Sequence, residues 1–172
     1  MTNIPSTPSD GFARLTLVPA VADLTAPTLD EVTASSAVQI SCYLTPDGWN
    51  LQATQDSAPD PRYCSAQDFE KPGRKRYTLS ITGIDNTNSE NEDDYNALAD
   101  ALAEYSNWVA VERRGLPFDE EFAAGQKVQL TPFQTGMKAL LPPETNSVLK
   151  ATWSTFVTGD VHTDVAIVDD AA

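Results

Sequence analysis

Several stretches of this chain alternate apolar and polar residues with a period of two, and this alternation constrains the fold more than any other feature. The clearest example is the segment 148–159, where one face is formed by Leu149, Ala151, Trp153, Thr155 and Val157. The segment 75–84 alternates in the same way around Leu79 and Ile81. Such alternation is typical of a strand that buries one face.

Other segments resemble strands through their β-branched and aromatic content. They lie at 38–44, 107–113, 126–133 and 161–167, with a further possible strand at 13–18. About seven strands are expected in all. This count predicts a mainly β fold, either a β-sandwich or a partly closed barrel, with one packed α-helix.

The predicted helix covers residues 90–105. Ser89 and Glu92 have the spacing of a capping box, and acidic residues fill the first turns, where the helix dipole favours them. One apolar stripe would then be formed by Tyr95, Leu98, Leu102 and Tyr105.

The chain divides into three parts on composition. Residues 1–35 contain four prolines and are predicted to form an extended N-terminal arm. Residues 36–168 form the β domain, with a long irregular loop at 45–73, and residues 169–172 form a polar tail. The N-terminus lacks the basic and apolar regions of a secretory signal, so synthesis in a cytoplasm is expected. No apolar run reaches the roughly 18 residues of a membrane-spanning helix, and no membrane partner is expected.

Acidic residues dominate the charge. The chain has 25 acidic and 11 basic residues, a net charge of −14 that repels phosphate backbones and argues against nucleic-acid binding. One basic cluster comprises Lys71, Arg74, Lys75 and Arg76. It could bind phosphate, but in so acidic a chain pairing with acidic neighbours is favoured. Those neighbours could belong to the same molecule or to another copy, which such charges would steer into register.

No constellation of catalytic residues is recognisable. His162 is the single histidine and is expected to be a solvated strand residue, and two cysteines, Cys42 and Cys64, are too few for a four-ligand zinc site. The two thiols are expected to be reduced, with a single bridge as the alternative. The acidic run 92–94 lacks the spacing of a calcium loop. We therefore expect no catalytic site, no cofactor and no metal.

Several segments together resemble the major tail protein, or tail tube protein, of long-tailed, non-contractile phages that infect actinobacteria. They include ISCYLTPDGWN, PRYCSAQDFEKPGRKRYTLSIT, FAAGQKVQL and, most strongly, PPETNSVLKATWSTFVTGDVHTDVAIV. The resemblance extends over about residues 15–168, and its specificity lies in the order of the segments.

The resemblance implies a self-assembling virion protein made in the host cytoplasm. Its copies would form hexameric rings that stack into a tube around a tape-measure protein, beginning at tail-tip proteins. DNA would pass through the lumen without specific binding. The residues expected to contribute to ring stacking and inter-subunit contacts are Trp49, Arg62, Tyr63, Phe69, Arg74, Lys75 and Arg76.

Two further expectations stay open at this point. The lumen is expected to be electronegative, because Lys and Arg contacts to phosphate would hold the DNA. The aromatic residues of the loop could instead pin that loop to its own core. The alternatives to a tube subunit are a related tail component that forms a terminal ring and a free β-sandwich binding module.

Overall fold

The computed structural model describes residues 3–169 and confirms a mainly β fold. The strands in this part of the chain are β1 (Ala13–Val18), β2 (Val38–Gln39), β3 (Leu44–Pro59), β4 (Glu70–Ile84), β5 (Asn107–Arg114), β6 (Lys127–Leu140), β7 (Lys150–Val157) and β8 (His162–Ala166). The helices are α1 (Leu29–Val32), a 3₁₀ helix (Ser41–Tyr43) and α2 (Ala97–Ala101).

All strand pairs are antiparallel, in the order β2-β1-β5-β6-β7-β4-β3, with β8 also paired to β6. Strand β6 belongs to two half-sheets. Its first half pairs with β5 and β8, its second half pairs with β7, and a bulge separates Thr135 from Lys138. We call β2-β1-β5-β6-β8 the first half-sheet and β6-β7-β4-β3 the second half-sheet.

Apolar side chains cover both faces of the first half-sheet. One cluster lies between the two half-sheets and includes Leu17, Ile81, Phe133 and Trp153. Alternate residues of the same strands point the other way, into a second cluster that contains Val111. The second cluster is covered by α1, by the β5–β6 connection and by the end of β8. Each large side chain buried in these clusters stabilises the fold by about 1.5–3 kcal/mol.

The possible strand at 13–18 is confirmed as β1, but this strand belongs to the sheet, so the predicted N-terminal arm at 1–35 is wrong from Ala13 onward. Strand β1 pairs with β5 along six residues, and five of its six residues are buried. Helix α1 follows, with a capping box between Thr28 and Glu31. The prolines that suggested an arm flank these elements without interrupting them. The predicted polar tail at 169–172 lies outside the described residues beyond Asp169.

The predicted loop at 45–73 is also wrong, because β3 and the start of β4 occupy most of it. These strands pair from Trp49↔Ile81 to Pro59↔Glu70. Most of their residues are exposed on both faces, so no alternation marks them as strands. Pro72 is tolerated because β4 has only one neighbouring strand at that point.

The predicted helix at 90–105 shrinks to the five residues of α2. The carboxylate of Glu92 accepts a hydrogen bond from the Asn88 N–H, and the side chain of Asn86 donates one to the Tyr95 carbonyl. Short polar side chains thus compete with helical hydrogen bonds in this segment. Only Leu98 and Leu102 of the predicted stripe are buried.

The β5–β6 connection is held by a buried arginine. Arg113 is 1% exposed and donates hydrogen bonds to the carbonyl oxygens of Pro117 at 2.6 Å and Glu121 at 3.0 Å. The guanidinium groups of Arg113 and Arg14 both lie over the Phe122 ring, with their carbons 5.5 Å and 5.0 Å from its centroid. Burial lowers the pKa of the Arg113 guanidinium, and Glu120 and Glu121 oppose this change.

Replacing Arg113 with methionine should reduce the free energy of unfolding by about 3 kcal/mol, because buried carbonyl groups would lose charged donors. Urea denaturation measures the effect. The matched control is Lys127→Met at an exposed position without an ion pair among residues 3–169, and it should change stability by less than about 0.5 kcal/mol. Equal effects of the two substitutions would contradict this interpretation.

Candidate assembly interface

A two-stranded ribbon projects from the second half-sheet. Strand β4 pairs with β7 only from Ser80 to Ile84, while its pairing with β3 continues to Glu70. We call residues 52–78 the ribbon. At about 3.3 Å per residue, its paired part extends about 25 Å beyond the half-sheet. A two-stranded ribbon is marginally stable alone in water, so this one is suited to packing on another molecule.

The tip of the ribbon is tied by an acidic side chain. Asp60 accepts hydrogen bonds from Lys71 at 2.8 Å and from Arg62 at 2.6 Å. These two hydrogen bonds hold the pKa of the Asp60 carboxyl below its usual value, and the bond from Lys71 has the larger effect. Two of the basic residues of the ribbon therefore share one acidic partner within the subunit.

The other basic residues of the ribbon have no such partner. Arg74, Lys75 and Arg76 are exposed, and their side chains form no ion pair with residues 3–169. We call these three residues the basic strip. Because successive strand residues point to opposite faces, Arg74 and Arg76 lie on one face of the ribbon and Lys75 on the other.

An acidic segment follows the opposite end of β4. Residues 77–111 contain seven Asp or Glu residues and no Lys or Arg. Within them, the exposed acidic residues are Glu90, Asp93, Asp94, Asp100 and Glu104. We call residues 85–104 the acidic segment. It begins about 30 Å along β4 from the basic strip. The subunit therefore carries positive charge at one end of this strand and negative charge at the other.

One ion pair anchors the acidic segment to the second half-sheet. Asp85 is buried and lies 2.9 Å from the Nζ atom of Lys138, which also lies 5.6 Å from the Trp153 ring. Burial opposes ionisation of Asp85, but hydrogen bonds from Lys138 and Thr87 outweigh it. The pKa of Asp85 therefore lies below its ordinary value.

The structure brings six of the seven predicted assembly residues together on the ribbon, and their role in assembly stays a prediction. Tyr63 is fully exposed and Phe69 is 46% exposed, so neither aromatic pins the ribbon to the core. Trp49 lies apart from them at the base of the ribbon. Its ring packs edge-to-face on Phe133 at 6.3 Å, and its Nε1–H donates to Glu112 at 3.2 Å.

Sequence reasoning missed two unpaired sheet edges. Among residues 3–169, no strand pairs with the outer edge of β3. On the other side of the second half-sheet, β5 stops pairing with β6 at Gln134, so residues 136–140 present a second free edge. No residue pattern marks these edges, because pairing depends on where neighbouring strands end.

The residues considered for chemistry lie apart from one another. Cys42 and Cys64 are exposed and free, and His162 is half-buried in β8. Within the described part of the chain, no group of three potential metal ligands is present. None of the helices between residues 3 and 169 is long and apolar enough to cross a membrane.

An antiparallel β fold with two free sheet edges and a projecting charged ribbon is typical of structural subunits that assemble edge to edge. The chain belongs to the phage tail tube protein family, whose sequence profile matches residues 1–170. It is thus a structural protein of the bacteriophage tail. The narrower resemblance to tails of long-tailed actinobacterial phages stays a prediction.

A solved structure shares the fold at low sequence identity. A chain from the six-fold symmetrised cryo-EM structure of the anti-feeding prophage baseplate has a TM-score of 0.50 and 8% identity, covering 94% of this chain and 96% of that chain. A chain from the tail of an empty GTA particle, refined with C6 symmetry, has a TM-score of 0.45 and 12% identity, covering 92% and 98%. No match to a curated protein was found.

Trp49→Ala and Tyr63→Ala should differ in their effect on the isolated subunit. The Trp49 substitution removes contacts with the first cluster and should reduce the free energy of unfolding by about 3 kcal/mol or more. The Tyr63 side chain is exposed, so its removal should leave stability unchanged. Chemical denaturation compares the two variants. A large loss in Tyr63→Ala would show that the ribbon tip packs on its own subunit.

Replacing Lys138 with methionine should make the free energy of unfolding depend less on pH in the acid range. The folded-state pKa of Asp85 is depressed, so its stabilising contribution is present above the unfolded pKa, near 3.8, and is lost as pH falls through the folded pKa. The variant should be less stable than wild type at about pH 7, and the difference should shrink toward about pH 3. Denaturation midpoints across this range measure it. A difference that is independent of pH would contradict the role of the ion pair.

Proposed function

We propose that this chain is the tail tube subunit, which assembles into hexameric rings that stack into a conduit for the genome. The observation that carries the proposal is the second half-sheet, a four-stranded sheet with an unpaired edge on each side. Unpaired edges are normally blocked in proteins that stay monomeric. When one edge of a subunit pairs with the opposite edge of its neighbour, neither edge is left unpaired, and the sheets of all copies form a larger closed sheet.

The strand directions support ring closure. Within the second half-sheet the strands alternate, so β3 runs opposite to β6. In a ring of copies related by rotation, β3 of one subunit meets β6 of the next as an antiparallel neighbour. The contact is heterologous, and it closes when the rotation per subunit divides the circle. Six copies are proposed because the assembly of the structurally similar baseplate chain is six-fold symmetrised.

The ribbon is the element that we assign to stacking. Its basic strip forms no ion pair with residues 3–169, and the acidic segment lies at the opposite end of β4. When rings stack head to tail, the basic strip of one ring approaches the acidic segment of the next. Opposite charges brought together in this way fix the register and speed the encounter. Tyr63 and Phe69 at the exposed tip can then bury apolar area on the neighbour.

The assembled protein acts without catalysis or cofactor. Its proposed partners are its own copies, the tape-measure protein inside the tube and the tail-tip proteins from which the tube grows. The proposed location is the virion tail, after assembly in the host cytoplasm. A terminal ring component would use the same lateral edges but would lack stacking contacts at one end.

Electron microscopy of the purified chain across a concentration series, with and without tail tips as seeds, tests the proposed function. Tubes built of stacked rings are expected, at least when seeds are present. Isolated rings that never stack would indicate the terminal component. A chain that stays monomeric even when seeded would point to a free binding module and would overturn the proposal.

Charge reversal should separate stacking from ring formation. The triple variant Arg74→Glu, Lys75→Glu, Arg76→Glu should stop tube growth, because like charges would face each other between rings. The triple variant Glu90→Lys, Asp93→Lys, Asp94→Lys should do the same. Combining all six substitutions in one chain should restore tubes, as measured by length in electron micrographs.

The matched control for this experiment is Lys127→Glu, which reverses an exposed basic residue outside the ribbon. It should form tubes of normal length. Growth of normal tubes from either triple variant, or no recovery in the combined variant while its subunit remains folded, would refute the pairing of the basic strip with the acidic segment.

A further inference from the structure

One face of the second half-sheet is left uncovered by the described chain. Residues that alternate with the buried Ile81 and Trp153 point away from the core, and we call them the open face. They follow from the strand register and are Asn50, Gln52 and Thr54 on β3, Thr78, Ser80 and Thr82 on β4, Thr152, Ser154 and Phe156 on β7, and Gln134 and Ala139 on β6.

Between Arg76 on β4 and Lys150 on β7, the open face carries no charged side chain, although the chain contains 36 charged residues. Hydroxyl and amide groups dominate it, and two of the hydroxyl groups, on Thr82 and Thr152, are 3.2 Å apart. Charges begin only at its two ends. Arg76 lies at the ribbon end, and at the other end Lys150 is paired with Glu144 at 2.7 Å.

The faces of the first half-sheet cannot form an exposed wall in the same way. Each is buried under one of the two apolar clusters. A tube built by joining second half-sheets therefore presents the open face either to its channel or to the surrounding solvent. The surface of a soluble particle normally intersperses charges of both signs, and an uncharged area across four strands departs from that rule.

We propose that the open face forms the wall of the channel and that this wall is neutral. The inference rests on the proposed tube function and adds which residues meet the passing duplex. It replaces the expectation of an electronegative lumen with a wall whose own side chains are uncharged. The ligand class is a polyphosphate duplex that passes without being held.

The chemistry of the open face suits this role. A cationic wall would release counterions from DNA and so gain affinity with each phosphate contact. A wall of carboxylates would repel the duplex and make entry costly at close range. Hydroxyl and amide groups exchange hydrogen bonds with water and offer no net charge. The Phe156 ring adds an apolar area that cannot pair with phosphate; it lies over Gly136, where a Cβ atom would come within 2.8 Å of the ring.

The two sides of the molecule can be distinguished by a probe too large for the channel. In a chain with Cys42→Ser and Cys64→Ser, Ser80→Cys places one thiol on the open face, and Asp119→Cys places one on the exposed β5–β6 connection beyond the second cluster. Assembled tubes are treated with maleimide-biotin, which can diffuse inward, and then with streptavidin. Decoration is scored in intact tubes and after dissociation.

The Ser80→Cys tubes should bind streptavidin only after dissociation, and the Asp119→Cys tubes should bind it while intact. Decoration of intact Ser80→Cys tubes would overturn the proposal. Ser154→Cys repeats the test from β7 if the first variant assembles poorly. Failure of the parent chain to form tubes at all would count against the proposed function, and through it against a channel wall.

A lysine on the open face provides the second measurement. Thr152→Lys tubes should retain short duplex DNA that wild-type tubes release, and retention should fall as salt rises, with a slope of about −0.9 for each phosphate contact. Asp119→Lys is the matched control and should gain no retention that requires entry into the channel. Equal retention by wild-type and Thr152→Lys tubes would show that the open face does not meet the DNA.

Discussion

The fold depends on how β6 satisfies its backbone hydrogen bonds. This strand pairs with β5 and β8 along its first half and with β7 along its second, so it connects the two layers that enclose the first cluster. The bulge between Thr135 and Lys138 turns the strand from one half-sheet to the other. The same turn ends the pairing with β5 and leaves residues 136–140 without a neighbour. The feature that builds the core therefore also creates one of the free edges.

The alternating strands could be predicted from the sequence because each has one buried and one exposed face. Trp153 and Ala151 on β7, and Leu79 and Ile81 on β4, show this pattern directly. The ribbon could not be predicted in the same way, because its residues meet solvent on both sides and lack a hydrophobic period. The prediction of a helix over 90–105 was wrong for a different reason. Asn86, Asn96 and Glu92 bond to the backbone locally and leave only α2 as helix.

The candidate site was partly predictable. Composition identified the basic cluster and the exposed aromatics, and the structure places them on the ribbon. Charge alone did not reveal that Arg62 and Lys71 share Asp60 while the basic strip forms no ion pair among residues 3–169. Trp49 was grouped with the ribbon because of its position in the sequence, whereas its hydrogen bond to Glu112 ties it to the core. The free edges and the open face depend on strand register, which single-residue patterns do not encode.

Strand β3 contributes both to the lateral edge of the second half-sheet and to one side of the ribbon. A neighbour that pairs with this edge would restrict the motion of β3. The loss of conformational entropy when the ribbon later orders in a stacking contact would then be smaller. Lateral and axial contacts would then be thermodynamically linked, each making the other more favourable. With such linkage, a lone subunit would stack more weakly than a subunit in a completed ring. Growth from an existing end would then be favoured over new nuclei, and assembly would stay confined to the place where it began.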